Sequence, residues 1–145
     1  MKKIIITGVT GQDGSHMADY LLKNTTDTII GGVRRLSVKN HKNIHHLSNN
    51  DRFNLIDLDV TDQQNVSHVI RKEQPDYFLN FAANSFVGNS WSMPISHMET
   101  NSMAVLYQLS SIAEYCPNCR YYNAGSSEEF GDVTYSPQDE SHPLR

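Results

Sequence analysis

The sequence predicts an α/β fold, a doubly wound sheet of parallel strands with helices on both faces, and three observations predict it. Short β-branched runs alternate with stretches of helical apolar period along most of the chain. The first such run, Lys3–Thr7, is apolar without alternation, as a strand buried on both faces must be. It leads directly into three glycines spaced three apart, Gly8, Gly11 and Gly14, and then into a helical stripe. Strand, helix and strand in this succession make right-handed βαβ units. The expected strand order is 3-2-1-4-5. Only five strands can be placed, so the sheet is expected to be incomplete, with its fifth strand at an unprotected edge.

After the glycine loop, Met17, Ala18, Leu21 and Leu22 mark the inner face of a first helix. Thr28–Val33 reads as the second strand. Residues 34–50 are polar and rich in Asn and His, a loop with a short helix near 44–47. A third strand is expected over 53–58. Asp62 is placed to cap the next helix, whose inner face is Val66, Val69 and Ile70. Pro75-Asp76 turns the chain into a fourth strand over 77–82. A long helix is expected over 95–115, with Met98, Val105, Leu106, Leu109 and Ile112 inside and Pro117 ending it. The fifth strand covers 120–124, and the remainder from Gly125 reads as irregular and polar.

The chain of 145 residues suits one domain. A formal net charge of -4, with no basic run longer than Arg34-Arg35, argues against nucleic acid as a partner. No apolar stretch reaches the roughly 20 residues that cross a bilayer. The opening Lys2-Lys3 with Ile4, Ile5 and Ile6 resembles the start of a signal peptide but dies at Thr7-Gly8, too early for one. A cytoplasmic protein is expected, with no membrane and no metal.

The glycines carry the first functional signal. In G-x-x-G-x-x-G the first allows the tight turn out of the strand, the second admits a pyrophosphate, and the third lets the helix sit close to the strand. The helix N-terminus adds free N–H groups and a partial positive charge. Following a strand and opening a helix, the motif predicts a Rossmann-type nucleotide-cofactor site. At the end of the second strand Val33-Arg34-Arg35 offers two cations and no carboxylate. That favours NADP, whose 2′-phosphate an Arg accommodates, over NAD. The alternative is a solvated arginine pair with NAD held in another way.

The stretch Thr7-Gly8-Val9-Thr10-Gly11-Gln12-Asp13-Gly14-Ser15 resembles the opening of the extended short-chain dehydrogenase/reductases, and among them the GDP-mannose 4,6-dehydratases, which read T-G-x-T-G-Q-D-G-S. Asp59-Val60-Thr61-Asp62 is similar to the family's D-L-T-D at the adenine, and Gln74-Pro75-Asp76 to its Q-P-D. Phe81-Ala82-Ala83-Asn84-Ser85 resembles its L-A-A-Q-S along cofactor and substrate. Ser90-Trp91-Ser92-Met93-Pro94 resembles its S-F-x-x-P, and Asn101 to Leu106 a helix that buttresses the site. Ala124-Gly125-Ser126-Ser127-Glu128-Glu129-Phe130-Gly131 resembles its A-S-T-S-E-L-Y-G. The chain departs from the family pattern at Leu36 in the basic cofactor loop, at Ser126 for Thr, at Phe86 for His and at Phe130 for Tyr.

The resemblance implies an enzyme that takes GDP-mannose or a related nucleotide sugar. A hydride leaves C4 of the hexose for NADP, water is lost across C5 and C6, and the hydride returns to C6. The product implied is GDP-4-keto-6-deoxymannose. Cofactor contacts are then expected from Gly8, Thr10, Gly11, Gln12, Asp13, Gly14, Arg34, Arg35, Asp59, Val60, Phe81, Ala82, Ala83 and Ser85. Substrate contacts are expected from Ser85, Ser90 and Ser127. Ser126 is the expected donor to the C4 oxygen and Glu128 the base at C5, with Glu129 as its competitor. Alcohol oxidation in this superfamily uses a Tyr-x-x-x-Lys pair, and no Tyr here is followed four residues later by Lys. Asp139 to Arg145 resembles the run-up to that pair. The chain therefore reads as an NADP-binding domain over 1–145, truncated before the Tyr-x-x-x-Lys helix and without the substrate domain. The resemblance also implies a homo-oligomer for the complete protein. Two other readings remain open: another nucleotide-sugar epimerase or dehydratase of the superfamily, and a non-catalytic NADP-binding module.

Two tempting features read as structural, and a third stays open. Cys116-Pro117-Asn118-Cys119 has no second ligand pair for zinc and closes a helix where redox motifs open one. His41, His45 and His46 lack the spacing of a metal site and read as loop histidines. Lys39 and Lys42 beside the arginines would form a phosphate-binding edge or a subunit contact.

Overall fold

A computed structural model describes residues 1–38, 40–133 and 135–144. Lys39 and Arg145, both named above, lie outside the described residues. Five strands form one parallel sheet: β1 Lys3–Thr7, β2 Thr28–Val33, β3 Phe53–Asp57, β4 Tyr77–Asn80 and β5 Arg120–Asn123. Their order is β3-β2-β1-β4-β5, as the sequence predicts. In the register of the central pairs, Ile5 stands between Ile30 and Phe78.

Because β1 is buried on both sides, its residues alternate between two cores. Ile4 and Ile6 join Val9, Ala18, Leu22, Ile29 and Phe53 on the face of helix α1, Gln12–Asn24. Ile5 joins Ile30, Val66, Ile70, Phe78 and Ile112 on the opposite face. That face is covered by helices α2, Gln63–Glu73, and α4, Ala104–Tyr115. Burying one such large apolar side chain contributes about 1.5–3 kcal/mol. Met17 and Leu21, expected inside, are half-buried against the first cluster.

The N-terminus of α2 follows the expected chemistry. The Asp62 carboxylate accepts from the backbone N–H groups of Gln64 and Asn65, both at 3.0 Å. The short helix expected near 44–47 is a 3₁₀ turn over His45–Leu47, with Ile44 and Leu47 plugged into the first core.

The long helix departs from the prediction in its facing. It starts as α3, Pro94–Met98, passes through a π-helical stretch at Glu99–Met103, and continues as α4. The wider turn adds a residue and rotates everything after it. The inner positions of α4 are Ala104, Gln108, Ser111 and Ile112. Met98, Leu106 and Leu109, expected inside, are 62%, 53% and 44% exposed.

β4 and β5 end earlier than expected, at Asn80 and Asn123. At β4 the cause is local: the N–H groups of Phe81 and Ala82 turn to the Thr7 hydroxyl oxygen, 3.2 Å from each. Beyond β5, residues Ser127–Phe130 make a 3₁₀ turn. The segment after it carries one anchor that the polar sequence hides. His142 is buried, its ring 4.5 Å from that of Tyr135 and 5.4 Å from that of Phe130. Among the described residues no helix is long and apolar enough to cross a membrane.

Candidate functional site

In an all-parallel sheet the carboxyl ends of the strands share one edge. Each predicted site residue follows one of those ends. Gly8 leaves β1 with φ +64°, a conformation that a side chain strains. A Cβ there would stand 2.7 Å from the Phe81 carbonyl, so the loops after β1 and β4 touch through backbone alone. At Gly14, a Cβ would stand 2.5 Å from the Gly8 carbonyl oxygen, which is why α1 can start against the turn. Gly11 precedes α1 as its N-cap and offers no side chain to the first-turn N–H groups. Thr10, Gln12 and Asp13 complete this cradle. Uncapped N–H groups at the start of a 13-residue helix, lined by backbone, fit a pyrophosphate.

Arg34 and Arg35 follow β2 and line a cleft of about 380 Å³ with Thr10, Leu36, Asn40 and His41. Both are exposed and neither makes an ion pair with a described residue. Asn43, which sequence reasoning passed over, ties the next loop down by donating to the Thr10 carbonyl at 2.9 Å. After β3, Asp59 accepts from the Thr61 N–H at 3.0 Å and hydroxyl at 2.7 Å, and Val60 is buried. The Asp59 carboxylate therefore braces its own turn.

A second cleft of about 650 Å³ lies over the ends of β4 and β5. Ala82, Ala83, Ser85, Ser90, Ser126 and Glu128 line it together, although they come from three separate stretches of sequence. Phe81 is not in its lining and packs on Tyr122, with ring centres 5.6 Å apart. Ser127, expected at the substrate, is not in the lining either. The lining also includes Asn84 and Asn101, which lie in motifs the sequence marked without a role of their own, and Asn80, His97 and Asn123, which the sequence did not single out. Isolated Asn and His residues carry no spacing signal.

The two neighbouring glutamates differ in employment. Glu129 Oε1 accepts from the Ser126 N–H at 3.0 Å, and the Ser126 hydroxyl oxygen accepts from the Glu128 N–H at 3.2 Å. Together they cap the 3₁₀ turn. A Cβ at Gly125 would stand 2.6 Å from Glu129 Oε1, so a larger residue there would displace that carboxylate from its present position. The Glu128 carboxylate is exposed at the cleft and has no hydrogen-bond partner among the described residues. Ser126 keeps its hydroxyl proton to donate. An acceptor-only carboxylate beside a hydroxyl donor can remove a proton from a bound alcohol or ketone while its oxygen is held.

A buried polar chain lies beneath this cleft. Asn80 bonds Thr7 and Gln108, and Gln108 bonds Tyr121. Burial pushes the Tyr121 hydroxyl up to about 12, and it donates to Gln108 Oε1. Burial likewise pushes the Cys119 thiol up to about 11, with the neighbouring Cys116 adding to the effect. Cys116 is buried and its thiol donates to the Pro75 carbonyl at 3.3 Å, a structural employment. His46 pairs with Asp19 at 2.7 Å. Among the described residues no three His, Cys, Asp or Glu side chains gather as metal ligands would.

Comparison with known proteins places this geometry. The family model for GDP-mannose 4,6 dehydratase matches residues 5–145. The chain is 35% identical to the GDP-mannose 4,6-dehydratase of Yersinia enterocolitica, over 99% of this chain and 40% of that protein. It is 34% identical to the GDP-mannose 4,6 dehydratase of Drosophila melanogaster, over 99% of this chain and 38% of that one. Among solved structures, the UDP-Glc/GlcNAc 4-epimerase of Campylobacter jejuni superposes with a TM-score of 0.89 at 23% identity, over 100% of this chain and 43% of that one. The dTDP-glucose 4,6-dehydratase of Bacillus anthracis, solved in complex with NAD, gives 0.83 at 21%, over 100% and 44%. These structural likenesses establish the fold. The chain spans about 40% of the length of the curated relatives. By the family model and the relatives' identity, the chain belongs to the GDP-mannose 4,6-dehydratase family.

Proposed function

We propose that this chain is the cofactor-holding part of an NADP-dependent GDP-mannose 4,6-dehydratase, a lyase that converts GDP-mannose to GDP-4-keto-6-deoxymannose. The observation that carries the reading is the Glu128 carboxylate, unpartnered among the described residues, in the cleft beside Ser126 while Glu129 is held in the capping box. NADP, when bound, supplies the acceptor and donor of hydride. The Gly8 to Gly14 turn and the first N–H groups of α1 bind its pyrophosphate, and Arg34 with Arg35 its 2′-phosphate. Asp59 and Val60 border the adenine.

Within the 650 Å³ cleft the hexose meets four polar groups. The Ser126 hydroxyl donates to the oxygen on C4, and Ser85 and Ser90 border the sugar. The Glu128 carboxylate takes the C5 proton once C4 is a ketone and delivers it to the C6 hydroxyl, which departs as water as the C5–C6 double bond forms, before hydride is returned to C6. The Tyr-x-x-x-Lys pair that removes the C4 hydroxyl proton does not occur in this sequence. In our reading it comes from the remaining length that the relatives have. Exposed Leu106 and Leu109 on α4 and Trp91, 90% exposed, are apolar surface that supports assembly of that longer protein into a homo-oligomer.

The test is Glu128→Gln in this chain joined to a family member's remaining length. Exchange of solvent deuterium into C5 should fall at least roughly a hundredfold, the scale of a lost general base. Unchanged exchange overturns the assignment of Glu128.

A further inference from the structure

Asn123 ends β5 and lines the 650 Å³ cleft between Asn80 and Ser126. Its orientation follows from hydrogen bonds whose direction can be read outward from the backbone. The Thr7 hydroxyl oxygen accepts from the N–H groups of Phe81 and Ala82, each at 3.2 Å. Backbone N–H groups only donate, so both lone pairs are taken. The hydroxyl's single proton must then go to the Asn80 atom it faces, which makes that atom the oxygen. Gln108 Nε2 donates to the same oxygen at 3.3 Å. The other end of the Asn80 carboxamide is therefore its NH₂, which donates to Asn123 at 2.8 Å. The Asn123 atom so addressed is Oδ1. The Tyr121 hydroxyl donates to Gln108 Oε1 at 2.8 Å and lies 3.3 Å from Asn123 Oδ1, closing the network. The Asn123 NH₂ is left without an acceptor among the described residues, on an exposed side chain at the cleft.

Gln108 makes this arrangement informative. It is 0% exposed at a helix-to-sheet contact, where an apolar side chain would carry no desolvation cost. What the glutamine adds is direction, because its donor and acceptor ends agree with every neighbour.

We infer that Asn123 contacts the ligand, presenting its two N–H donors to an acceptor oxygen of the molecule seated in the cleft, and that Gln108 acts through Asn80 as the positioning residue that fixes this direction. The acceptor is a hydroxyl or carbonyl oxygen of the sugar, or the carboxamide oxygen of the nicotinamide. The inference rests on the proposed function only for which molecule occupies the cleft.

Asn123→Asp is the discriminating variant. It keeps the oxygen that accepts from Asn80 and replaces the cleft-facing NH₂ with a second acceptor. Affinity for NADPH, or for GDP-mannose added to the NADPH-loaded chain, should fall by roughly tenfold or more with the melting temperature unmoved. The ligand that loses affinity identifies the oxygen. Both affinities within about twofold of the parent chain overturn the contact. A measurement free of ligand and variant tests the orientation. By amide NMR the Asn123 side-chain protons should exchange with water much faster than those of Asn80, and the reverse order overturns it. In Gln108→Leu the two exchange rates should converge; rates that stay apart remove Gln108 from the positioning role. A parent chain that binds neither NADPH nor GDP-mannose overturns the proposed function, and the exchange order then decides the orientation by itself.

Discussion

Glu128 and Glu129 are adjacent, identical in type and different in employment, and residue chemistry alone does not separate them. The difference is geometric. Both line the cleft, but Glu129 stands at the third position of a 3₁₀ turn, where its carboxylate returns to the Ser126 N–H, whereas the Glu128 carboxylate has no partner among the described residues. Arg34 and Arg35 make the complementary case, since the expectation set on them rests on position alone: two cations and no carboxylate after the second strand. The structure leaves both exposed and without ion pairs among the described residues. Replacing both with alanine should weaken NADPH binding by about ten- to a hundredfold, the scale of charge-assisted hydrogen bonds to phosphate, and leave NADH nearly unchanged. Equal losses for the two cofactors, by titration of the intact chain, would show that the pair does not read the 2′-phosphate.

Elements divide between those that local chemistry sets and those that packing sets. At α2, Asp62, the inner apolar positions and the start at Gln63 agree at every level. Asp62→Ala removes the acceptor for two N–H groups and should cost about 1 kcal/mol. In a chain of this size the melting temperature should drop by about 2–4 °C. No measurable drop would mean that the cap is redundant. The long helix behaves otherwise. Its apolar period predicts one face over 95–115, but the π-helical stretch at Glu99–Met103 turns α4 so that Leu106 and Leu109 face outward and Gln108 inward. A helical period read from sequence assumes a constant twist, and the structure breaks that assumption in the segment that carries Asn101 to the cleft. Asn84 shows what the break secures. Its N–H donates to Asn101 Oδ1 at 2.8 Å and its carbonyl accepts from Asn101 Nδ2 at 3.0 Å, so the loop after β4 is held by a side chain acting as a strand would.

Across the whole molecule the two sheet faces are unequally covered. Helices α2 and α4 close one face. On the other, α1 covers β1 and β2 and leaves an apolar trough of about 400 Å³ beside Tyr77, Leu79 and Tyr122. The glycine turn lies with the well-covered strands, and the 650 Å³ cleft lies at the ends of β4 and β5. Binding and turnover should therefore separate. The isolated chain should bind NADPH and release no 4-keto product from GDP-mannose, because the sequence has no Tyr-x-x-x-Lys pair to deprotonate the C4 hydroxyl. Detection of that product by mass spectrometry would overturn the division of labour.

The sequence by itself determined the strand order, the glycine cradle, the α2 cap and the family. Each of these rests on neighbours in the chain: a β-branched run, a glycine spacing, an acid before a helix, a string of adjacent residues. Only the tertiary structure decided which glutamate is free, which way the long helix faces, and that Asn80, Gln108, Tyr121 and Asn123 form one directed chain beneath the cleft. The physical reason is that a hydrogen bond between residues 28 or 43 positions apart leaves no period in the sequence. Its donor and acceptor become defined only when the sheet and α4 bring the partners within reach.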